Sequence, residues 1–136
     1  MGLILDTNIL VRAEREGGRI RFADYDLYGG LCISAITASE LLVGVHRANS
    51  EERRLKRQSF VEHILSLLPI LPFDLETARL HAAMVSALPR NITASAYDSI
   101  IAATALRHGV PVLTANPADF EIFSGLTVIR PVYRGI

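Results

Sequence analysis

The chain has a single cysteine, a single lysine and no excess of charge of either sign. Cys32 has no partner for an internal disulfide, which fits a reducing compartment. Within Leu31-Cys32-Ile33 it reads as a small buried hydrophobe. A formal net charge of zero excludes a polybasic binder that works by bulk attraction to phosphate. It leaves room for a local basic track beside an acidic pocket. Lys56 is the only lysine; the arginines that make up the rest of the basic set suit bidentate phosphate contact, and genomic base composition accounts for the same bias. No apolar run approaches the ~18 residues of a membrane span. The N-terminus lacks the basic region and apolar stretch of a secretory signal. After Met1-Gly2, Asp6 stands where myristoylation wants Ser or Thr. A cytoplasmic location without membrane attachment is expected.

Half of the 136 residues are hydrophobic, enough for a real core, and charge is too moderate for disorder. The length suits one domain over residues 1–136, with no repeat, low-complexity segment or linker. Short apolar runs alternate with helical patterns. Strands are expected at Leu3 to Leu5, Leu31 to Ser34, Ile70-Leu71, Val112 to Thr114 and Leu126 to Ile129. Helices are expected from Thr7 to about Glu14, Ile36 to about Ala48, Glu51 to Leu68, Asp74 to Leu88 and Ser95 to His108, with a short one after Asn116-Pro117. Residues 19–30 read as a short helix or a loop. Strands alternating with helices predict an α/β fold, a three-layer α/β/α sandwich whose parallel sheet carries helices on both faces.

In such sheets, ligands gather at the carboxyl ends of the strands, and acidic residues recur there. Asp6 follows the first strand, Glu40 lies early in the helix after the second, Asp98 opens the helix before the fourth, and Asn116 and Asp119 follow the fourth. Each has a plain alternative as a helix cap. Asp6 and Asn116 suit N-cap positions, Thr37-Ala38-Ser39-Glu40 and Ser95-Ala96-Tyr97-Asp98 read as capping boxes, and Asp119 suits a first helical turn. The set weighs differently from its members. Glu40 and Asp98 each share a helix face with small or apolar residues, and a carboxylate is seldom buried unless paired or bound to metal. The sequence offers no evident buried Lys or Arg beside either. Converging carboxylates repel and raise one another's pKa unless a cation neutralises them. An oxygen-only set points to Mg²⁺ or Mn²⁺ rather than zinc.

Leu5-Asp6-Thr7-Asn8 resembles the opening motif of PIN domains. "ISAITASELLVG", containing Glu40, resembles the family's second acidic motif, and Asp98 to Phe120 resembles its third and fourth joined. Order and spacing match over essentially the whole chain, most closely the VapC-like toxin branch. The resemblance implies a PIN-like fold with a five-stranded parallel sheet and a metal-dependent endoribonuclease site of Asp6, Glu40 and Asp98, with an acid or amide after Thr114. It also implies Mg²⁺ or Mn²⁺, an RNA substrate, a homodimer and a small antitoxin protein as inhibitor. The departure is Asn116, where many relatives carry aspartate; Asp119, one helical turn on, is the candidate to supply the missing charge.

On this reading the cation activates a water that cleaves the phosphodiester, leaving a 5′-phosphate and a 3′-hydroxyl. Thr7, Asn8 and Thr114 orient the carboxylates and waters, or serve as ordinary helix-start and strand-end residues. Arg47, Arg53, Arg54 and Arg57, with Lys56, form one basic group; Arg12, Arg15, Arg19 and Arg21 form another. Each offers an RNA track or a solvated, salt-bridged helix face. Tyr97 offers a stacking surface for a base or core packing. His46, His63, His81 and His108 lack metal-ligand spacing. A catalytically weak RNA- or partner-binding module on the same fold is the first rival, motivated by Asn116. A phosphatase of haloacid dehalogenase type ranks below it, because Asn8 stands where a second aspartate is required. A receiver-like domain fails for want of an acidic pair before Asp6.

Overall fold

A computed structural model describes residues 2–17 and 22–132; Arg19 and Arg21 of the second basic group lie outside the described residues. The chain runs β1 (Leu3–Leu5), α1 (Thr7–Arg15), a 3₁₀ helix (Phe22–Tyr28), β2 (Leu31–Ser34), α2 (Ala35–His46), α3 (Glu51–Leu67), β3 (Ile70–Leu71), α4 (Leu75–Ser86), α5 (Ala96–His108), β4 (Val112–Leu113), α6 (Ala118–Glu121) and β5 (Val128–Ile129). The expected elements are all present, with ends that differ by one or two residues, as fraying termini do. The ambiguous segment before Gly29-Gly30 is the 3₁₀ helix.

The five strands form one sheet in the order β3-β2-β1-β4-β5, and every pairing is parallel. Side chains alternate between its faces. Leu3, Leu5, Ile33 and Leu113 face a core completed by Leu10, Leu41, Val45, Val61 and Ile64, from α1, α2 and α3. Ile4, Cys32 and Val112 face the other core, completed by Ile101, Ala102, Ala105, Phe120 and Phe123, from α5, α6 and beyond. The near-continuous apolar strands are thus explained by burial on both sides.

Two residues mark helix ends. Gly109 takes a left-handed conformation (φ 65°) that ends α5 and lets Val110 N–H reach back to the Ala105 carbonyl. Pro69 follows Leu68, the residue that closes α3, and β3 begins immediately after it. Tyr25, buried in the 3₁₀ helix, accepts a hydrogen bond at its hydroxyl from Val132 N–H, 3.2 Å away, tying the end of the described chain to the core.

The strand order positions the site. From β1 the chain builds outward to β2 and β3, then crosses to build β4 and β5 on the other side. The order therefore reverses between β1 and β4, and the crevice beyond the carboxyl ends of those two strands is where open α/β sheets bind ligands.

Candidate active site

Asp6 leaves β1 at this crevice and is 5% exposed. It occupies the N-cap position of α1, yet its side chain makes no capping hydrogen bond. Oδ2 instead accepts from the Thr114 hydroxyl at 2.8 Å. Thr114, just past β4 and fully buried, uses its whole hydrogen-bonding capacity: it also accepts from Asn116 N–H at 3.0 Å and from Asn8 Nδ2 at 3.4 Å. Asn8 Oδ1 in turn accepts from Ala115 N–H at 3.3 Å. Asn8 is therefore occupied in fastening the β4 turn to α1, at the position where a phosphatase would need a free acid.

Glu40 stands half-buried on α2 and accepts from the Thr7 hydroxyl at 2.7 Å. The capping box expected to begin at Thr37 is not formed. The cap lies three residues earlier: Ser34, at the end of β2, accepts from Thr37 N–H at 3.2 Å. Thr37 is left facing Thr7. These two hydroxyl residues, Ser34 and Thr37, are the part of the neighbourhood that sequence reasoning missed; the signal was Ser-x-x-Thr immediately after a strand.

Asp98 lies in the first turn of α5, whose cap Ser95 accepts from Asp98 N–H at 3.4 Å. Among the described residues no group donates a hydrogen bond to its carboxylate. It lines a cavity of about 210 Å³ together with Asp119, Ser95, Thr93, Ile92 and Ile122. Asn116 is exposed and does not cap α6, which begins after Pro117 without a side-chain cap.

Electrostatics ties the acids together. Burial pushes Asp6 above the usual carboxylate range; the Thr114 hydroxyl and Thr7 backbone N–H draw it partly back, and Asp119 raises it again. Burial also raises Glu40, opposed by the Thr7 hydroxyl and reinforced by the charge of Asp6. Asp98 is pushed up to about 6, first by burial and then by Asp6, Asp119 and Glu40. Among the described residues, no arginine or lysine contributes to any of the three. The structure thus brings Asp6, Glu40, Asp98 and Asp119 into one repelling group, and leaves Asn116 at its edge.

The donor set fits a hard divalent cation, being all oxygen. Among the described residues no three His, Cys, Asp or Glu side chains stand close enough to clasp an ion by themselves. Mg²⁺ does not need such a clasp, since it keeps several waters and takes one or two carboxylates with substrate phosphate.

The basic residues gather elsewhere. Arg15, Arg53, Lys56, Arg57, Phe60 and His63 line a 680 Å³ cleft between α1 and α3, which sets Arg15 of one basic group beside Arg53, Lys56 and Arg57 of the other. Arg57 bonds Glu14 at 3.0 Å and the Gly44 carbonyl at 3.1 Å. Arg53 bonds Asn49, and Arg54 bonds Glu51 and Gln58. Arg47 is exposed just past α2. Tyr97 is 51% exposed, so core packing is not its role. His81 bonds Ser99 at 2.9 Å and stands edge-on to Phe73; His46, His63 and His108 are exposed.

Residues 3–125 match the PIN domain family. Over 130 residues the chain is 42% identical to Ribonuclease VapC1 of Rickettsia felis, covering 95% of this chain and 96% of that protein. It is similar to the solved DNA-bound VapBC from Salmonella typhimurium, with TM-score 0.82 and 29% identity over 96% of this chain and 98% of that one. It also shares the fold of VapBC2 from Rickettsia felis bound to a promoter DNA fragment, with TM-score 0.85 and 23% identity over 97% of this chain and 100% of that one. No helix among the described residues is long and apolar enough to cross a membrane. On the family match and the identity to a full-length relative, this chain belongs to the PIN-domain family, as a VapC-type ribonuclease toxin of a toxin–antitoxin system.

Proposed function

We propose that the chain is a Mg²⁺- or Mn²⁺-dependent endoribonuclease whose cation is held by Asp6, Glu40 and Asp98, directly or through its retained waters, with Asp119 or Asn116 completing the site. One observation carries this reading: four carboxylates, from the turn after β1 and from α2, α5 and α6, form a repelling group at the sheet's switch point, with no cation from the described residues among them. Such a group is costly to ionise alone and is relieved by a bound divalent ion. When bound, that ion lowers the pKa of a water and polarises the scissile phosphodiester.

The side chains divide the remaining work. Thr114 fixes Asp6, Thr7 fixes Glu40, and Asn8 holds the β4 turn against α1, so two carboxylates are oriented before substrate arrives. Among the described residues Asp98 has no donor to its carboxylate, which keeps its oxygens available to water or a cation. Of the two candidates for the fourth position, Asp119 has the support of its charge acting on both Asp6 and Asp98; Asn116 supplies a neutral amide at the rim. The expected products carry a 5′-phosphate and a 3′-hydroxyl.

Tyr97, exposed beside Asp98, supports a stacking contact with an unpaired base. Arg47, Arg53, Arg54 and Arg57 are proposed phosphate contacts, with weaker support because three of them have partners within the chain. The solved VapBC relatives support a small antitoxin protein as partner. A homodimer and a cytoplasmic setting complete the reading.

Metal binding tests it without substrate. Millimolar Mg²⁺ is expected to raise the melting temperature of the native chain and to do so much less for Asp6→Asn or Asp98→Asn. Equal shifts in all three proteins, or none in any, would overturn it.

A further inference from the structure

We propose that Thr37, backed by Ser34, is a positioning residue for Glu40, acting through Thr7 along a one-way chain of hydroxyl hydrogen bonds. The distances require such a chain. Thr7 Oγ1 lies 2.7 Å from Glu40 Oε1 and 3.0 Å from Thr37 Oγ1, and Thr37 Oγ1 lies 3.4 Å from Ser34 Oγ. A hydroxyl has one proton to give and two lone pairs to receive with. An ionised Glu40 has none to give, so the Thr7 proton goes to Glu40. The 3.0 Å contact is then filled by the Thr37 proton, and the 3.4 Å contact by the Ser34 proton. Ser34 Oγ keeps a lone pair for Thr37 N–H at 3.2 Å. One set of proton positions satisfies every contact, and it runs Ser34 to Thr37 to Thr7 to Glu40.

The chain is anchored where the fold is most rigid. Thr37 is fully buried and Ser34 is 1% exposed. Ser34 is both the last residue of β2 and the cap of α2, so its position is set by the sheet. Thr7 is the first residue of α1, while Thr37 and Glu40 lie one turn apart on α2. The hydroxyls therefore connect the end of β2 and the starts of two helices to a single carboxylate. Bonds in such a chain polarise one another and strengthen the terminal bond to the charge. Capping alone does not explain Thr37, because the cap of α2 is made by Ser34 and uses only the Thr37 backbone N–H.

Valine in place of Thr37 preserves shape and removes the proton. Its methyl would stand at 3.0 Å from Thr7 Oγ1, inside the ~3.3 Å at which carbon and oxygen usually meet. Thr7 must turn away, and its bond to Glu40 goes with it. For cleavage, the consequence rests on the metal-ligand role proposed above for Glu40; the placement of Glu40 does not.

The test compares the native chain, Thr37→Val and Thr37→Ser by metal-free crystal structures, by Mg²⁺ calorimetry, and by kcat and KM on RNA. In Thr37→Val the 2.7 Å Thr7–Glu40 contact is expected to be lost. Mg²⁺ affinity or kcat should fall ~10-fold or more, the usual effect of removing an outer partner of a metal ligand, while KM for RNA changes little. Thr37→Ser, which keeps the hydroxyl, should recover most of the loss. If Thr37→Val keeps the contact, or if Thr37→Ser loses as much as Thr37→Val, the proposal is overturned and Thr37 is a packing residue. If the contact is lost with no change in Mg²⁺ affinity or kcat, Thr37 does place Glu40 and it is the ligand role of Glu40 that falls.

Discussion

Asp6 and Thr114 are 108 residues apart in sequence, and the Thr114 hydroxyl donates to Asp6 Oδ2 at 2.8 Å. Both are buried, at 5% and 0% exposure. Without the Thr114 hydroxyl, Asp6 keeps only the Thr7 backbone N–H as donor. Thr114→Val should destabilise the metal-free protein by about 2 kcal/mol, the order of magnitude for losing a hydrogen bond to a buried charged group. The melting temperature should fall several degrees, and cleavage should be largely lost. Thr114→Ser should keep both. Thermal unfolding of the two variants checks the pair, and an unchanged melting temperature for Thr114→Val would show that Asp6 does not need it.

Asp98 gives a pH-dependent counterpart. Its folded pKa of about 6 lies above the ordinary value of 3.8, so the folded state holds its proton more readily than the unfolded chain does. The stability this confers is complete below pH 3.8 and is lost as pH rises through about 6. Asp98→Asn cannot undergo that loss. At pH 7 without metal, the variant is expected to melt a few degrees above the native chain, with the difference shrinking toward pH 4. Melting curves at pH 4 and pH 7 in EDTA test this; a variant less stable than native at pH 7 contradicts it.

The ring of acids was largely legible in the sequence, and the reason is local. Asp6, Glu40 and Asp119 follow a strand closely, and Asp98 opens the helix that leads back to β4, so the α/β alternation sends all four to the same edge. The partners were legible only in part. Whether Thr114 meets Asp6, or Thr37 meets Thr7, depends on two elements joining across a long loop, and no short-range periodicity carries that. Ser34 and Thr37 were further obscured because Thr37-x-x-Glu40 is itself a well-formed capping pattern; the strand's end, three residues earlier, decides which cap wins. The sequence does not separate Asp119 from Asn116, because both follow β4. Three-dimensional proximity puts the charge of Asp119 on Asp6 and Asp98.

Arg57 and Arg53 occupy one cleft and should behave differently. Arg57 joins α3 to Glu14 of α1 and to the Gly44 carbonyl, with its side chain 38% exposed. Arg57→Ala is expected to cost about 1 kcal/mol, of which the Glu14 pair accounts for a part that salt weakens. Arg53 is exposed and bonded to Asn49. Arg53→Ala should leave the melting temperature nearly unchanged and raise KM for RNA if the cleft carries substrate. Melting temperatures with steady-state cleavage separate the two roles, and an unchanged KM in both variants would remove the cleft from the RNA path.

Cys32 should be chemically silent. It is 8% exposed, burial raises its thiol pKa, and it faces the Leu3 carbonyl across the sheet. A thiol reagent is expected to label it fully in denaturant and very slowly in the native protein. Rapid native labelling would mean that the β1–β2 region opens far more often than its packing implies.

The most direct test of the metal-dependent site is cleavage of total cellular RNA by the purified, antitoxin-free chain, with Mg²⁺, with EDTA, and with Asp98→Asn in place of the native protein. Fragments bearing 5′-phosphates are expected from the native chain with Mg²⁺ alone. Cleavage that persists in EDTA, or that survives in a folded Asp98→Asn protein, would contradict the site described for this chain.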